Sequence, residues 1–387
     1  MFRPQLQKTW VMLFVSMFSM MMIYFALGNI TYLETVGFND KKEAVEIMEE
    51  ALSVLKKEVK NKYPEEPILK DIDPNLTGLI FNRPKSPMTT FSGNLKSKQT
   101  VLKPNFSALI VDLFIQAKLS KGDTIAVGMT GSMPGANIAL LSACEAMGIV
   151  PIIITSIGAS QWGATDSNFT WLDLESVLYA NKVISNSSSA ASLGGKGDEY
   201  KEKKVKNIIY GGKYGAELAN KAIERNGIKK LKGYKKRISF YKERIKGELS
   251  NYSAYINIGG GLSSMGRMGN ELLDGKNGII DPDEVIKKGL DYCVVKVFAD
   301  IGVKFINIHN IPDLIKDENE KKLMNYGVNF VAPDVQGEGL IFYSENYTLW
   351  TTMLALFLTL GLVIAIAVNS FRQINKHMNS YETESIL

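Results

Sequence analysis

Two long apolar stretches lie near the ends of the chain. Residues 10–27 form a run of eighteen without a charged side chain, and residues 349–368 form a second run of twenty. An α-helix rises about 1.5 Å per residue, so runs of this length match a hydrocarbon layer of about 30 Å. The pattern predicts two transmembrane helices. For the first run a cleaved signal peptide is the alternative, because Ala26-Leu27-Gly28 resembles a small-residue cleavage site.

Basic residues beside the apolar stretches indicate how the chain is oriented. Arg3 and Lys8 precede the first stretch, and Arg372 and Lys376 follow the second. Because Lys and Arg accumulate on the cytoplasmic side of membrane helices, we expect both termini in the cytoplasm and the middle outside it. The predicted segments are a cytoplasmic N-terminus at 1–9, an extracytoplasmic domain at 28–348 and a cytoplasmic tail at 369–387.

The first part of the extracytoplasmic region contains one periodic and one aperiodic segment. Residues 40–62 repeat apolar positions at helical spacing, which predicts an amphipathic helix that is either a stalk or docked on the domain. Residues 63–104 are richer in Pro, Asn, Ser and Thr and lack a period, so they are predicted to connect elements. We expect the core of the domain at residues 123–346.

The most informative stretch has the order strand, loop, helix, strand. Residues 123–156 comprise the apolar run TIAVGMT, the loop GSMPG, the small-residue segment ANIALLSACEAMG and the β-branched run IVPIIITS. This order predicts a βαβ unit with two buried parallel strands. The expected fold class is α/β, with a Rossmann-like, doubly wound, mostly parallel sheet.

A weaker version of this pattern occurs later in the chain. Residues 253–270, SAYINIGGGLSSMGRMGN, again run from an apolar segment into a Gly/Ser loop, and the apolar run VKFINI follows at 303–308. Gly131-Ser132-Met133 corresponds to Ser263-Ser264-Met265. Two readings stay open: two related βαβ halves, or a chance similarity of two strand-to-helix loops.

The two Gly/Ser loops are the first candidates for ligand binding. Backbone N–H groups and hydroxyls at the start of a helix attract anions or carboxylates, although glycines there also simply allow close packing. Neither loop has the spacing of a nucleotide-binding motif, so no cofactor is expected. The candidate ligand-binding residues are Gly128, Thr130, Gly131 and Ser132 in the first loop and Gly259, Gly260, Gly261, Ser263 and Ser264 in the second.

The polar and aromatic segment 158–173, GASQWGATDSNFTWLD, follows a predicted strand. Open α/β sheets bind ligands at the carboxyl ends of their strands, so Gln161, Trp162 and Asp166 are further candidates for ligand binding. Segments rich in Ser, Asn, Thr and Asp also form turns and helix caps without a function. Both interpretations remain open for this segment.

Catalytic residues are indicated only weakly. Ser132 or Ser264 could act as a nucleophile with Asp166, Asp173 or His309 as acid or base, but neither serine lies in the G-x-S-x-G pattern. Two cysteines and two histidines are too few to suggest a metal site. Cys144 and Cys293 are expected to be buried thiols or one disulfide.

Positive charge is concentrated in one segment. Residues 196–246 contain 17 Lys and Arg against 6 Asp and Glu, a net charge of +11, whereas the whole chain carries +5. The spacing predicts long helices with a solvated side, which need have no function. If the charge is functional, it would attract a polyanion, and outside the cytoplasm that excludes nucleic acid and leaves anionic lipid or an anionic polymer.

The stretches VGMTGSMPGANIALLSACEAMG, SIGASQWGATD and INIGGGLSSMG, between two terminal apolar runs, resemble the bacterial poly-γ-glutamate system protein family over nearly the whole chain. The resemblance implies a membrane-anchored accessory protein of the synthesis or export of this anionic capsule polymer, with other membrane subunits as partners. An extracytoplasmic hydrolase or transferase acting on γ-glutamyl amide bonds is one alternative, and a scaffold for partner subunits is another. The resemblance carries over no catalytic residue.

Overall fold

The computed structural model of the chain describes residues 8–81, 86–205, 208–267, 269–273, 276–315 and 341–384. The chain divides into two compact units. One runs from Thr35 to Phe342, and the other combines the chain up to Glu34 with the chain from Tyr343 onward. Each unit has its own architecture.

The described helices and strands are numbered in chain order. The helices are α1 Thr9–Leu27, α2 Phe38–Lys62, α3 Leu95–Val101, α4 Asn105–Gln116, α5 Pro134–Met147, α6 Trp171–Ala180, α7 Lys213–Arg225, α8 Gly233–Ile245, α9 Leu262–Met265, α10 Gly269–Leu272, α11 Pro282–Lys287, α12 Val294–Ala299, α13 Ile311–Leu314 and α14 Leu349–Glu384. The strands are β1 Ile30–Glu34, β2 Thr89–Phe91, β3 Thr124–Thr130, β4 Val150–Ser156, β5 Ala159–Ser160, β6 Ala190–Ser192, β7 Lys203–Val205, β8 Ile208–Tyr210, β9 Lys229–Lys230, β10 Ala254–Ile258, β11 Gly278–Ile280, β12 Lys304–Ile308 and β13 Tyr343–Tyr347.

A seven-stranded sheet forms the centre of the unit from Thr35 to Phe342. Its strand order is β11-β12-β10-β3-β4-β6-β9, and every neighbouring pair is parallel except β11 with β12. The α/β class and the mostly parallel sheet are thereby confirmed. The predicted βαβ unit is present as β3, α5 and β4. The chain continues from β4 to β6 and β9 on one side of β3 and returns through β10 and β12 on the other.

Alternation of side chains along the strands determines the core. Ala126, Ile154, Tyr255 and Phe305, one from each of four strands, belong to a single buried cluster. Aromatic and aliphatic residues from α8 and α12 complete that cluster, including Tyr241 and Phe298. Successive strand residues point to opposite faces of a sheet, so the intervening residues face the other side. The sheet is therefore buried on both faces, which explains its nearly continuous apolar strands.

Helix α2 belongs to the core of this unit. Its buried residues follow helical spacing at Ala44, Met48, Ala51 and Leu55, and the helix packs against α4 and α5. Of the two alternatives for residues 40–62, the docked helix is therefore correct and the stalk is wrong. The folded core also starts well before residue 123, because apolar side chains of α2 and α4 cannot stay in water.

A buried lysine lies near both ends of the same unit. Lys41 is 1% exposed, and its Nζ donates hydrogen bonds to Asp112 Oδ1 at 2.7 Å, Thr35 Oγ1 at 3.0 Å and the Ile341 carbonyl at 3.0 Å. Thr35 Oγ1 in turn donates to the Ile341 carbonyl at 2.7 Å. A single charged group therefore links the first and last residues of the unit to α4.

The two strands that follow the Gly/Ser pattern, β3 and β10, are neighbours in the sheet. The helices after them differ, since α5 has fourteen residues and α9 has four. Cys144 lies within α5, whereas Cys293 is the N-cap residue of α12, and both are buried free thiols. The disulfide alternative is therefore wrong in this structure.

The terminal unit consists of α1, β1, β13 and α14. Helix α1 contacts α14, and β1 pairs with β13 in antiparallel register from Ile30–Tyr347 to Glu34–Tyr343. Both helices are long and apolar enough to cross a membrane, and most of their apolar side chains are exposed. Because α1 leads into β1 and β13 leads into α14, the two helices meet the ribbon at the same end.

Candidate functional site

The carboxyl ends of the parallel strands bring both Gly/Ser loops together. Strand β3 ends at Thr130 and its neighbour β10 ends at Ile258, and their loops begin immediately afterwards. A Cβ atom added to Gly259 would lie 2.3 Å from Thr130 Oγ1. The chain adds strands to one side of the sheet after β3 and to the other side after β10, so the switch point of the sheet lies between these two parallel strands. Open α/β sheets form a crevice at such a switch point.

Close backbone approach explains several glycines in the loops. A Cβ on Gly131 would lie 2.6 Å from the Ile157 carbonyl, and one on Gly128 would lie 2.5 Å from the Tyr255 hydroxyl. Gly128 is thus a packing position beneath a tyrosine. Gly260 is exposed, and Gly261 is half-buried, where an added Cβ would meet its neighbours at 3.6–3.9 Å, an ordinary contact distance. Close packing therefore accounts for Gly128 and Gly131, whereas Gly260 lies at the surface of the second loop.

The serines of the second loop are committed to internal hydrogen bonds. Ser264 Oγ lies 2.5 Å from the Tyr255 hydroxyl and donates to Asn257 Oδ1 at 2.7 Å. Ser263 Oγ donates to Asp198 Oδ2 at 2.8 Å. Both side chains are buried. The geometry gives Ser264 no base to activate it, because its neighbours are an amide and a phenol.

A buried arginine lies beneath the ends of β4 and β6. Arg237 of α8 is 2% exposed and donates to Ser156 Oγ at 2.8 Å and to Ser192 Oγ at 2.6 Å. Its guanidinium lies 3.6 Å from Asp198 Oδ1, and Ser192 also donates to that carboxylate at 2.7 Å. Asp198 therefore balances the charge of Arg237 and joins α8 to the strand ends.

A second buried cation lies at the same edge without such a counter-charge. Lys98 of α3 is 3% exposed, and its Nζ contacts the Ser132 carbonyl and lies 2.9 Å from Ser160 Oγ. No carboxylate among the described residues forms an ion pair with it. Burial lowers the pKa of Lys98 to about 7. At neutral pH a large fraction of this lysine is consequently the neutral amine.

The loop around Ser160 is fixed by backbone contacts. The Ser160 N–H donates to Ser132 Oγ at 3.0 Å. A Cβ on Gly163 would lie 2.7 Å from the carbonyl oxygens of Gly131 and Ser132. Trp162 has a φ of 67°, which is uncommon for a bulky residue. Such backbone strain is concentrated at functional sites in proteins.

Gln161 stabilises the same loop from the other side. Its backbone N–H donates to the Phe91 carbonyl at 2.9 Å, and its Oε1 accepts from the Gly93 N–H at 3.3 Å. A Cβ on Gly93 would lie 2.1 Å from the Gln161 carbonyl. The side chain therefore has a structural contact, and the partly exposed residues of this loop are Ser160, Gln161 and Trp162.

The two aspartates lie apart from the serines and have structural partners. Asp166 accepts from the Tyr63 hydroxyl and from the Asn168 N–H at 2.8 Å. Asp173 forms a capping box with Thr170 at the start of α6 and pairs with Arg225. Burial opposes ionisation of Asp173, but these hydrogen bonds outweigh it and lower the pKa. Neither aspartate contacts Ser132 or Ser264.

His309 follows β12 at the carboxyl edge. Its Nδ1 is buried and accepts or donates no hydrogen bond within the described part of the chain. Burial lowers the pKa of His309, and the charge of Lys98 lowers it further. Both effects disfavour the charged imidazolium form of His309.

The basic segment 196–246 is only partly helical. The predicted helices with a solvated side are present as the thirteen-residue α7 and α8, whereas the rest of the segment contains the hairpin β7–β8 and strand β9. Its described Lys and Arg side chains are exposed except Arg237. Lys201 and Lys232 pair with Glu199, and their hydrogen bonds lower its pKa to about 2. Most of the other lysine side chains in this segment are surrounded by solvent.

Helix α8 links the basic surface to the carboxyl edge. Arg237, Phe240 and Tyr241 face inward, whereas Lys235, Lys236 and Lys242 face solvent. One face of α8 thus contacts the strand ends through Arg237, and its other face carries solvated lysines. The exposed Lys and Arg of 196–246 are called the basic surface below.

No cluster of three or more His, Cys, Asp or Glu residues suited to a metal ion occurs within the described residues. The fold and this edge define an α/β protein with a lysine–serine cluster at the strand ends. Comparison of the chain with protein-family models, with curated proteins and with solved structures finds no match.

Sequence reasoning missed Lys98, Ser160, Asp198 and Arg237. A signal existed for Arg237, because Phe240 and Tyr241 follow it at helical spacing and would have placed it on the buried face. Ser160 lies in the segment 158–173 that was singled out for other residues. Lys98 lies in the aperiodic segment 63–104, where nothing in the sequence indicates that a lysine is buried.

Proposed function

We propose that the chain is a membrane-anchored protein whose α/β unit binds an anionic, carboxylate-bearing polymer outside the cytoplasm, and that the polymer is poly-γ-glutamate. The observation that carries the proposal is the exposure of the basic surface. Lysines and arginines that face solvent without carboxylate partners keep their full attraction for a polyanion. A γ-linked glutamate chain offers one carboxylate per residue, which matches such a surface.

Two further observations support the proposal. The terminal helices α1 and α14 supply the anchor, and the basic residues beside them favour cytoplasmic termini with the α/β unit outside. The sequence resemblance to poly-γ-glutamate system proteins points to the same polymer. Export or retention of the polymer would then follow from binding, with polymer synthesis assigned to other subunits.

The test measures binding of the full chain in a neutral detergent to fluorescently labelled poly-γ-glutamate of defined length. Four exposed lysines without an ion-pair partner among the described residues, Lys213, Lys221, Lys235 and Lys236, are changed together to Gln. We expect affinity to fall at least about tenfold and the salt dependence to become shallower, because fewer counterions are released on binding.

The matched control changes four exposed lysines outside the basic surface, Lys42, Lys57, Lys60 and Lys287, to Gln. The net charge changes equally, so a smaller loss of affinity in this variant assigns binding to the basic surface. Labelled dextran serves as an uncharged polymer that should not bind. Equal losses in the two variants, or wild-type binding that is indifferent to salt, would overturn the proposal.

A further inference from the structure

We propose that Ser160 and Lys98 form a nucleophile–base pair that hydrolyses a carboxylic ester or amide at the carboxyl edge of the sheet. The inference goes beyond polymer binding, which needs neither residue. It assigns a reaction to two side chains that the sequence patterns did not single out. Four features of the site carry it: contact, protonation, accessibility and rigidity.

The contact between the two groups suits proton transfer. Lys98 Nζ lies 2.9 Å from Ser160 Oγ and also contacts the Ser132 carbonyl. A carbonyl oxygen can only accept, so one N–H of the lysine must point at Ser132. A neutral amine has two N–H donors and one lone pair. The lone pair is then free to accept the hydroxyl proton of Ser160.

The surroundings favour the neutral amine. Lys98 is nearly fully buried, its Nζ partners are a carbonyl and a hydroxyl, and no ion pair holds its charge within the described residues. Removing an ammonium group from water without a counter-ion favours loss of its proton. A general base is most effective when its pKa is close to the working pH, and Lys98, with a pKa of about 7, meets this condition.

Accessibility differs between the two groups as the reaction requires. Ser160 is partly exposed, whereas Lys98 is 3% exposed. The serine is therefore the more accessible of the two groups, as the reaction of a nucleophile with a buried base requires. By contrast, Ser264 is buried and bonded to Asn257 and Tyr255, and Ser132 Oγ accepts the Ser160 N–H. Ser160 is thus the hydroxyl at this edge that combines exposure with a basic partner.

The backbone holds Ser160 in place. Its N–H is fixed by Ser132 Oγ, the following Gln161 is fixed by Phe91, and Gly163 packs directly on the carbonyls of Gly131 and Ser132. Trp162 adopts a positive φ two residues after the serine. Preorganised positioning of this kind is what a nucleophile requires, because small displacements of the reacting atoms lower the rate steeply.

The reaction balances with water as the only co-reactant. Ser160 Oγ bonds to the carbonyl carbon while its proton moves to Lys98 Nζ. The bond from that carbon to the leaving nitrogen or oxygen breaks, and Lys98 returns the proton to the leaving group. Water then attacks the acyl-Ser160 ester and gives a proton to Lys98. The acyl–oxygen bond breaks, Ser160 recovers its proton, and a carboxylic acid is released.

The test uses the full chain in detergent micelles and a p-nitrophenyl acyl ester as the probe. Nitrophenol release is followed with time, and the reaction is quenched in acid so that an acyl adduct on the Ser160 peptide can be weighed by mass spectrometry. We expect an adduct on Ser160 and a rate that rises with pH through about 7, as Lys98 loses its proton.

Variants separate a base from a structural lysine. Ser160→Ala should remove the adduct, and Lys98→Met should slow acylation at least about 100-fold. Lys98→Arg keeps a charged donor but cannot accept a proton, so it should be equally slow. Ser239→Ala and Lys304→Met are matched controls, since Ser239 is exposed on α8 and Lys304, at the amino end of β12, donates to the Ala117 carbonyl. Thermal melts check that each variant is folded.

The outcomes also distinguish this inference from the proposed function. Ser160→Ala should bind poly-γ-glutamate as the wild type does, because the basic surface is unchanged. Absence of an adduct on wild-type Ser160, or acylation of the folded Lys98→Arg variant at the wild-type rate, overturns the nucleophile–base pair and leaves polymer binding standing. Failure of polymer binding with intact acylation of Ser160 would overturn the proposed function and leave the nucleophile–base pair standing.

Discussion

Two buried lysines in the same unit have opposite surroundings. Lys41 is 1% exposed and lies against Asp112, Thr35 and the Ile341 carbonyl, so all three of its donors have partners. Lys98 is 3% exposed and has one carbonyl and one hydroxyl as its partners, without a carboxylate. Residue type and burial are therefore nearly equal, and the partner alone differs. A paired lysine is a structural charge, whereas an uncompensated one becomes a reactive amine.

The largest expected effect tests the paired lysine. Lys41→Met should lower the free energy of unfolding by about 3–5 kcal/mol, because Asp112 keeps its charge and loses its buried partner. Chemical denaturation in detergent, followed by the fluorescence of the buried Trp171, measures the change. Lys57→Met on the exposed side of α2 is the control and should change stability by less than about 0.5 kcal/mol. A loss below about 1.5 kcal/mol for Lys41→Met would mean that the pair is not structural.

The unpaired Lys98 should make the free energy of unfolding depend on pH. The folded pKa of Lys98, about 7, lies below the ordinary value of 10.5, so between these values the unfolded chain binds a proton that the folded chain does not. Stability contributed at this residue should therefore rise with pH, by about 2 kcal/mol from pH 7 to pH 9. The measured quantity is the difference in unfolding free energy between wild type and Lys98→Met. Parallel pH curves for the two proteins would mean that Lys98 stays charged.

A buried carboxyl provides the mirror image. Burial raises the pKa of Glu175 to about 7, against the hydrogen bond that the Ser188 N–H donates to Glu175 Oε2 at 2.9 Å, which lowers it. The folded chain therefore holds a proton above pH 4.5 that the unfolded chain releases, and stability should fall by about 2 kcal/mol from pH 5 to pH 7. Comparing wild type with Glu175→Gln isolates this contribution. If the unfolding free energy of wild type minus that of Glu175→Gln rises from pH 5 to pH 7, the raised pKa of Glu175 is contradicted. A rise is the behaviour of a carboxylate whose pKa is lowered by an ion pair.

The contrast also explains what could be predicted from the sequence. The terminal helices and the β3–α5–β4 unit were predictable because apolar runs and periodic spacing report burial directly. The docking of α2 was left open, since an amphipathic face does not say what covers it. Lys98 and Ser160 are 62 residues apart and meet only through the fold. No local pattern marks a charge for burial, so a site made of such contacts is invisible before the structure is known.

The last comparison concerns the rigidity of the Lys98 site. Gly163→Ala should lower the free energy of unfolding by about 1–3 kcal/mol, because its Cβ would lie 2.7 Å from the carbonyls of Gly131 and Ser132. Displacing the Ser132 carbonyl alters a partner of Lys98. The pH dependence assigned to Lys98 should therefore change in this variant, as measured by denaturation at pH 7 and pH 9.

Gly261→Ala is the matched control at the same edge of the sheet. Its Cβ would meet its nearest neighbours at 3.6–3.9 Å, which is ordinary contact, and its φ of −61° suits any residue. We expect a loss of about 0.5–1 kcal/mol, because alanine is a poorer N-cap residue than glycine, with the pH dependence of wild type. If Gly163→Ala and Gly261→Ala lower the free energy of unfolding equally, the loops accommodate the added methyl group. The lowered pKa of Lys98 would then reflect burial alone and not a fixed geometry.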